Sequence, residues 1–269
     1  MPAFAAGIFL LSKMNNVKPK KYLGQHFLND TEIAQKIVNH LSSSNIPILE
    51  IGPGMGILTQ YLLQRKNEDL FVVEIDTESV AYLKEHYPQI APKILETDFL
   101  KLNLNQLFSS SLKIIGNFPY NISSQILFKI LENKDLVGEM VGMFQKEVAE
   151  RIASKPGKKQ YGILSVLLQA FYDIEYLFTV DENSFYPPPK VKSSVIRITR
   201  NSVAKLQCNE EDFKKVVKMA FNQRRKTLRN SLKTLNIDDK IRQSTLFDKR
   251  PEQLTVGDFE AICLTMKNN

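Results

Sequence analysis

Short apolar runs alternate with helical apolar faces through the first half of the chain. Residues 31–42 place Ile33, Ile37, Val38 and Leu41 on one face and predict a helix. Residues 47–51 (PILEI) read as a short buried strand that ends at a glycine-rich loop, and Ile57 to Leu63 begins the next helix. A second strand is expected at Leu70–Glu74 and a second helix at 77–86. Ile94–Glu96 reads as a third strand, ending near Asp98. Residues 113–116 give a fourth, followed by a helix around 123–132. Glu139–Phe144 gives a fifth, with a helix at about 145–154. Strand and helix alternate, so the sheet should be mostly parallel.

The pattern then changes. Residues 172–180 and 193–200 read as strands, with the turn Pro187-Pro188-Pro189 between them. Such an antiparallel closing hairpin is unlike the standard dinucleotide-binding fold. After Arg200 the chain is helical and basic, with helices expected at 210–221, 224–235 and 255–267. The expected layout is an extension over residues 1–19 without order, an α/β domain over 20–203 and a small all-α domain over 204–269. No internal repeat is visible.

Composition narrows the class. With 269 residues, 43% of them hydrophobic, the chain can bury a proper core, so global disorder is excluded. No apolar run approaches the roughly 18 residues that a membrane span needs. Phe4 to Leu11 resembles a short signal-peptide core, but no basic segment precedes it and no small-residue cleavage site follows. Residues 1–13 are therefore expected to be an upstream start or extension. Cys208 and Cys263 have neither metal-like nor disulfide-framework spacing, which suits a reducing cytoplasm and two packing thiols. His26, His40 and His86 are scattered, so neither a metal site nor a histidine-based triad is expected.

Net charge is +7 and uneven. Residues 201–269 carry 14 Lys and Arg against 9 acidic residues, and Lys13, Lys18, Lys20 and Lys21 precede the first acid, Asp30. Basic charge at both ends of a nearly neutral body suits a polyanion partner, although a solubilising surface would look the same.

The loop Glu50-Ile51-Gly52-Pro53-Gly54-Met55-Gly56 has glycine at every second position. A dinucleotide site wants a different spacing, to seat a pyrophosphate on a helix N-terminus. Glu50 would repel a diphosphate and suits a cationic ligand, such as the amino group of a methionine moiety. Glu74 ends the second strand, where an acid accepts from ribose hydroxyls. Asp98 ends the third, placed to accept from the amine of a cofactor adenine. Either acid alone is as readily a helix cap. On consecutive strand ends they point together to an adenosyl cofactor, S-adenosylmethionine.

Gly116-Asn117-Phe118-Pro119-Tyr120 follows the fourth strand. The exocyclic amine of adenine is a poor nucleophile because its lone pair is delocalised into the ring. Two acceptors aimed at its hydrogens, Asn117 Oδ1 and the Phe118 carbonyl, would localise that pair. Pro119 stiffens the turn, and Tyr120 can stack on the base. The sulfonium methyl is already activated, so alignment and electrostatics carry the catalysis without a strong base. Phe185, in Phe185-Tyr186-Pro187-Pro188-Pro189, could stack on the other face of a flipped-out base; by itself it reads better as a hydrophobic plug under the proline turn.

The stretches KKYLGQHFLND (20–30), EIGPGMGILT (50–59), VVEID (72–76), GNFPYNIS (116–123), FYPPPKVKSSVIRI (185–198) and FNQRRKTLRNSL (221–232) closely resemble the small-subunit (16S) rRNA adenine dimethyltransferases. The resemblance runs from about Lys20 to the C-terminus. It implies a Rossmann-like methyltransferase domain with a seven-stranded sheet and a helical C-terminal domain. It implies two methyl groups on each of two adjacent adenosines near the 3′ end of 16S rRNA, within a pre-30S particle. Cofactor contacts then fall on His26 and Leu28, with Gln25 in the same stretch, and on Glu50, Gly52, Gly54, Gly56, Glu74, Asp98 and Asn117. Target-base contacts fall on Asn117, Phe118, Pro119, Tyr120 and Phe185. Phe118 stands where leucine is usual, which matters little if only its backbone is used. The tail helix expected around 221–235 puts Leu228, Leu232 and Leu235 on an apolar face. Arg225, Lys226, Arg229 and Lys233, with Arg224 beside them, form a basic stripe for RNA. A monomer without metal is expected.

The rival readings are a 23S rRNA adenine methyltransferase of the antibiotic-resistance type, a DNA adenine methyltransferase, and a ribosome-assembly factor with secondary catalysis. FNQRRKTLRNSL argues for the 16S family, and no segment is large enough for a DNA target-recognition domain. A nicotinamide oxidoreductase is disfavoured by the loop spacing and by Glu50.

Overall fold

The computed structural model describes residues 17–266. The extension expected over residues 1–19 lies outside them up to residue 16. Seven strands form one sheet: β2 (Ile48–Ile51), β3 (Leu70–Glu74), β4 (Ile94–Glu96), β5 (Leu112–Asn117), β6 (Val137–Gln145), β7 (Tyr172–Val180) and β9 (Ser193–Arg200). Their spatial order is β4-β3-β2-β5-β6-β9-β7. The β2–β3, β2–β5, β3–β4 and β5–β6 pairs are parallel, and the last two strands add the antiparallel hairpin. The fold is that of a Rossmann-like methyltransferase. A two-residue strand, β1 (Phe27–Leu28), pairs antiparallel with another, β8 (Phe185–Tyr186), outside the main sheet.

The central strands are apolar because helices cover both faces of a parallel sheet; all four residues of β2 are buried. The helix Thr31–Asn39 starts at Asp30, whose side chain accepts from the Ile33 amide at 3.0 Å. It buries Ala34, Ile37 and Val38 against the core that holds Leu28, Ile48, Val72, Ile115 and Phe185. Helices Thr77–His86 and Ser123–Glu132 begin just past the ends of β3 and β5, so the strand ends and helix starts lie at one edge of the sheet.

Packing divides the described residues into two compact units. One holds Lys146 and what precedes it together with Leu177–Arg197; the other holds Glu147–Tyr176 and everything from Ile198 on. The division passes through β7 and β9, its last point between Arg197 and Ile198. The helix Lys146–Ala153, nearly all of it, and the helix Ile163–Gln169, which the apolar pattern did not single out, group with the C-terminal helices. In that second unit Phe213, Val217, Leu228, Leu232, Phe247, Phe259 and Ile262 are buried.

The helix expected over 224–235 is corrected. The chain is helical over Glu210–Asn222, turns, and is helical again only over Leu228–Ser231. Residues 223–227 are all polar and have no side chain to bury, so the helix stops and the Leu228 amide donates instead to the Lys249 carbonyl at 2.9 Å. The leucines still turn inward: Leu228, Leu232 and Leu235 are buried. The cysteines Cys208 and Cys263 are free thiols.

Candidate active site

A cavity opens beside the carboxyl ends of β2, β3 and β5. It holds about 830 Å³ of empty space, its open mouth included. Its walls include Gln25, His26, Gly52, Gly54, Glu74, Asp98, Asn117, Phe118, Pro119 and Tyr120, ten of the residues singled out in the sequence. A smaller recess is lined by Leu28, Glu50, Gly52, Gly54 and Asn117. Gly56 borders neither space. It turns with φ +81°, and a Cβ there would stand 2.5 Å from the Tyr87 ring.

Gly52 has φ +66°, and a Cβ there would meet nothing within 4 Å, so the loop leaves room for a ligand against its backbone. Glu74 is 5% exposed and is held by three amides. One oxygen accepts from Ile75 at 2.8 Å and Asp76 at 2.9 Å, the other from Gly54 at 3.1 Å. Burial raises its carboxyl above the usual range against the pull of those amides. Asp98 is half-buried and caps the turn Phe99–Lys101 with one oxygen, at 2.9 Å from the Leu100 amide. Capping uses Oδ1 only.

Glu50 departs from the charged group that the sequence suggested. It is 1% exposed, and burial pushes its carboxyl up to about 8, with Glu74 adding repulsion. The Thr59 hydroxyl donates to it at 2.6 Å, and that bond and the Thr59 backbone pull the other way.

Asn117 Nδ2 donates to the His26 carbonyl at 2.9 Å. A carbonyl can only accept, so this bond settles which end of the amide is nitrogen and frees Oδ1 for another donor. Phe118 lines the cavity although its ring is 1% exposed. The ring lies over Gly116 and Gly142, neighbours on β5 and β6; a Cβ on either would come within 2.6 Å of it. The buried ring anchors the chain at the cavity wall. Tyr120 bonds the Ser193 hydroxyl, and its ring stacks on His26 with centroids 5.5 Å apart.

Phe185 is placed elsewhere. Its ring is 3% exposed, belongs to the core with Leu28 and Val180, and forms no part of the cavity wall. The plug that the residues alone suggested is what the fold builds.

Several wall residues carry no signal of their own in the sequence. Tyr22, Leu23, Gly24 and Phe27 belong to a strap over residues 20–28, and Ile75, Asn121 and Ile122 lie within quoted stretches without being assigned a role there. The strap is fastened by Asp76, whose carboxylate bonds the Lys20 ammonium and accepts from Gln25 Nε2 at 3.0 Å. Lys20, which the sequence places in a basic arm, is thus a fastener of the site.

In the C-terminal unit the basic residues differ in availability. Arg225, Lys226 and Lys233 are exposed. Arg229 pairs with Asp248 at 2.7 Å, and Arg224 donates to the Lys159 carbonyl and approaches Glu252. Among the described residues there is no cluster suited to a metal ion and no helix long and apolar enough to cross a membrane.

Known proteins extend this picture. The family model for ribosomal RNA adenine dimethylase matches residues 16–260. The chain is 60% identical over 256 residues to a Flavobacterium johnsoniae protein named ribosomal RNA small subunit methyltransferase A, covering 94% of this chain and 97% of that one. A Porphyromonas gingivalis protein of the same name is 55% identical, with 94% and 100% covered. Among solved structures, a dimethyladenosine transferase from Plasmodium falciparum superposes with a TM-score of 0.76 at 26% identity, covering 89% of this chain and 96% of that one. The 23S rRNA methyltransferase ErmE shares the fold, with a TM-score of 0.67 at 24% identity over 88% of this chain and 99% of that one. Methyltransferases of this family and fold use S-adenosylmethionine. With a matched model over nearly its whole length and relatives this similar, the chain belongs to the ribosomal RNA adenine dimethylase family.

Proposed function

We propose that the chain, acting as a cytoplasmic monomer, transfers methyl groups from S-adenosylmethionine to N6 of two adjacent adenosines near the 3′ end of 16S rRNA. The substrate is a pre-30S particle and the product N6,N6-dimethyladenosine. The observation that carries this reading is the fixed Asn117 amide at a strand end, beside an acid-lined cavity. The donors and acceptors present suit the cofactor: Glu74 would hold the ribose, Asp98 the adenine amine and Glu50 the amino group. The backbone of Gly52 and Gly54 would lie under it, with Gln25, His26 and Leu28 of the strap alongside. When bound, the cofactor supplies an activated sulfonium methyl.

The chain's own work is alignment. Asn117 Oδ1 and the Phe118 carbonyl accept from the target amine and turn its lone pair toward the methyl. Tyr120, held at its hydroxyl by Ser193, offers the ring face not turned to His26. Methylating undermethylated 30S particles and 23S rRNA side by side tests the substrate. The reading expects the particle to be modified, and modification of 23S rRNA alone would sink it.

The raised Glu50 carboxyl gives this site a pH signature. Below about pH 8 the group is protonated in the free chain. A cationic amino group favours the carboxylate, so cofactor binding releases a proton. Affinity should rise about tenfold per pH unit up to about 8 and then level off. Calorimetric titration checks this; a flat profile between about pH 6 and 8 would contradict it. The same shift costs stability as pH climbs from 4.5 through about 8, because the unfolded chain ionises at the lower pH.

Charge reversal at Arg225 and Lys226 should weaken binding to the 30S particle and leave cofactor affinity unchanged. It should flatten the salt dependence by about one unit for each phosphate no longer neutralised. Arg229 is a poorer choice, since its reversal would also break the Asp248 pair. An unchanged slope would place RNA recognition elsewhere.

A further inference from the structure

The ribbon of β1 and β8 carries an aromatic side chain on each face. Its register pairs Phe27 with Tyr186 and Leu28 with Phe185. Directly opposed residues of an antiparallel pair share a face, and neighbours along a strand alternate. Leu28 and Phe185 share the inward face, and both belong to the buried core. Phe27 and Tyr186 share the other. Phe27 lines the cavity, with its ring against the glycine loop; a Cβ at Gly54 would stand 2.9 Å from it. Tyr186, across the ladder from this wall residue, is 55% exposed.

Single exposed aromatics are ordinary on protein surfaces. This one is tied to the reacting centre. His26 Nδ1 bonds the carbonyl of the next residue, Pro187, at 2.7 Å. The same imidazole stacks on Tyr120, and the His26 carbonyl holds Asn117. Tyr186 is thus positioned through the residues that position the target amine. Lys190, four positions on, is exposed as well.

We propose that Tyr186 is the stacking platform for the RNA base next to the target adenine. A base drawn out of its stack leaves its neighbour with one uncovered face. An exposed ring across the ladder from a cavity-wall residue can cover that face, whatever the base, because stacking reads no hydrogen-bond edge. Phe185, the neighbouring aromatic, remains a core residue. This inference rests on the rRNA adenine reading and adds to it where the adjoining nucleotide lies.

The test is steady-state methylation of undermethylated 30S particles by wild type, Tyr186→Ala and Tyr186→Phe, with cofactor affinity and thermal stability measured in parallel. Tyr186→Ala should raise KM for the particle about tenfold. Its kcat, cofactor affinity and melting temperature should stay at wild-type values, and Tyr186→Phe should stay within about twofold throughout. Wild-type KM in the Ala variant would overturn the proposal and leave the enzymatic reading intact. A joint fall in cofactor affinity and melting temperature would also overturn it, by making the ring structural. Failure of wild type to methylate the particle would overturn the functional reading and this inference with it.

Discussion

Asn117→Ala should lower methyl transfer by at least roughly 10³-fold while leaving cofactor affinity within about tenfold. The expectation follows from what the amide is bonded to. Its Nδ2 is committed to the His26 carbonyl, so Oδ1 is the end left for the target amine. Alanine removes that acceptor, and the adenine lone pair stays in the ring. It also frees the strap at His26, which is why a modest loss of cofactor affinity is allowed. Asn117→Asp sharpens the test. It keeps an acceptor oxygen but turns a carboxylate toward the His26 carbonyl, so it should loosen the strap more than alanine does. Single-turnover rates and calorimetric affinities separate the two effects. Near-normal turnover in Asn117→Ala would remove this residue from the chemistry.

Glu74→Ala should act first on the cofactor, weakening it by about 1.5–3 kcal/mol through lost ribose hydrogen bonds. The structure adds a second consequence. Gly54, Ile75 and Asp76 all donate backbone amides to this carboxylate, and alanine would leave the buried Gly54 and Asp76 donors without an acceptor. The variant should therefore also melt at a lower temperature. Asp76 in turn fastens the strap through Lys20 and Gln25, so the loss should spread to residues 20–26 as faster amide exchange. Unchanged cofactor affinity in a folded Glu74→Ala protein would take Glu74 out of the site.

Much of this site was legible because its chemistry sits at strand ends, and strand ends follow from local apolar runs. The strand ending at Glu74, the short strand before Asp98 and the pair 172–180 and 193–200 all stand where the pattern put them. What the sequence concealed depends on partners distant in the chain. The Asn117–His26 bond spans 91 positions and the Gln25–Asp76 bond 51. Phe185 illustrates the same limit: the residues alone favour a plug under the proline turn and the family resemblance a stacking ring, and its register with Leu28 puts it in the core. Glu50 stands in a run that already reads as a buried strand, but the sequence does not show that its neighbours are Thr59 and Glu74 and not a counter-charge. The interrupted helix after Asn222 shows that apolar spacing alone does not make a helix. Leu228, Leu232 and Leu235 reach the core from separate turns, and the polar residues 223–227 give a continuous helix nothing to pack.

The chain is expected to place two methyl groups on each of two adjacent adenosines of 16S rRNA. The direct measurement is nucleoside and fragment mass spectrometry of rRNA from undermethylated 30S particles, incubated with the protein and S-adenosylmethionine. Paired N6,N6-dimethyladenosines in one fragment near the 3′ end are the predicted result. Unmodified 16S rRNA beside methylated 23S rRNA, or methylation at any atom other than N6, would contradict it.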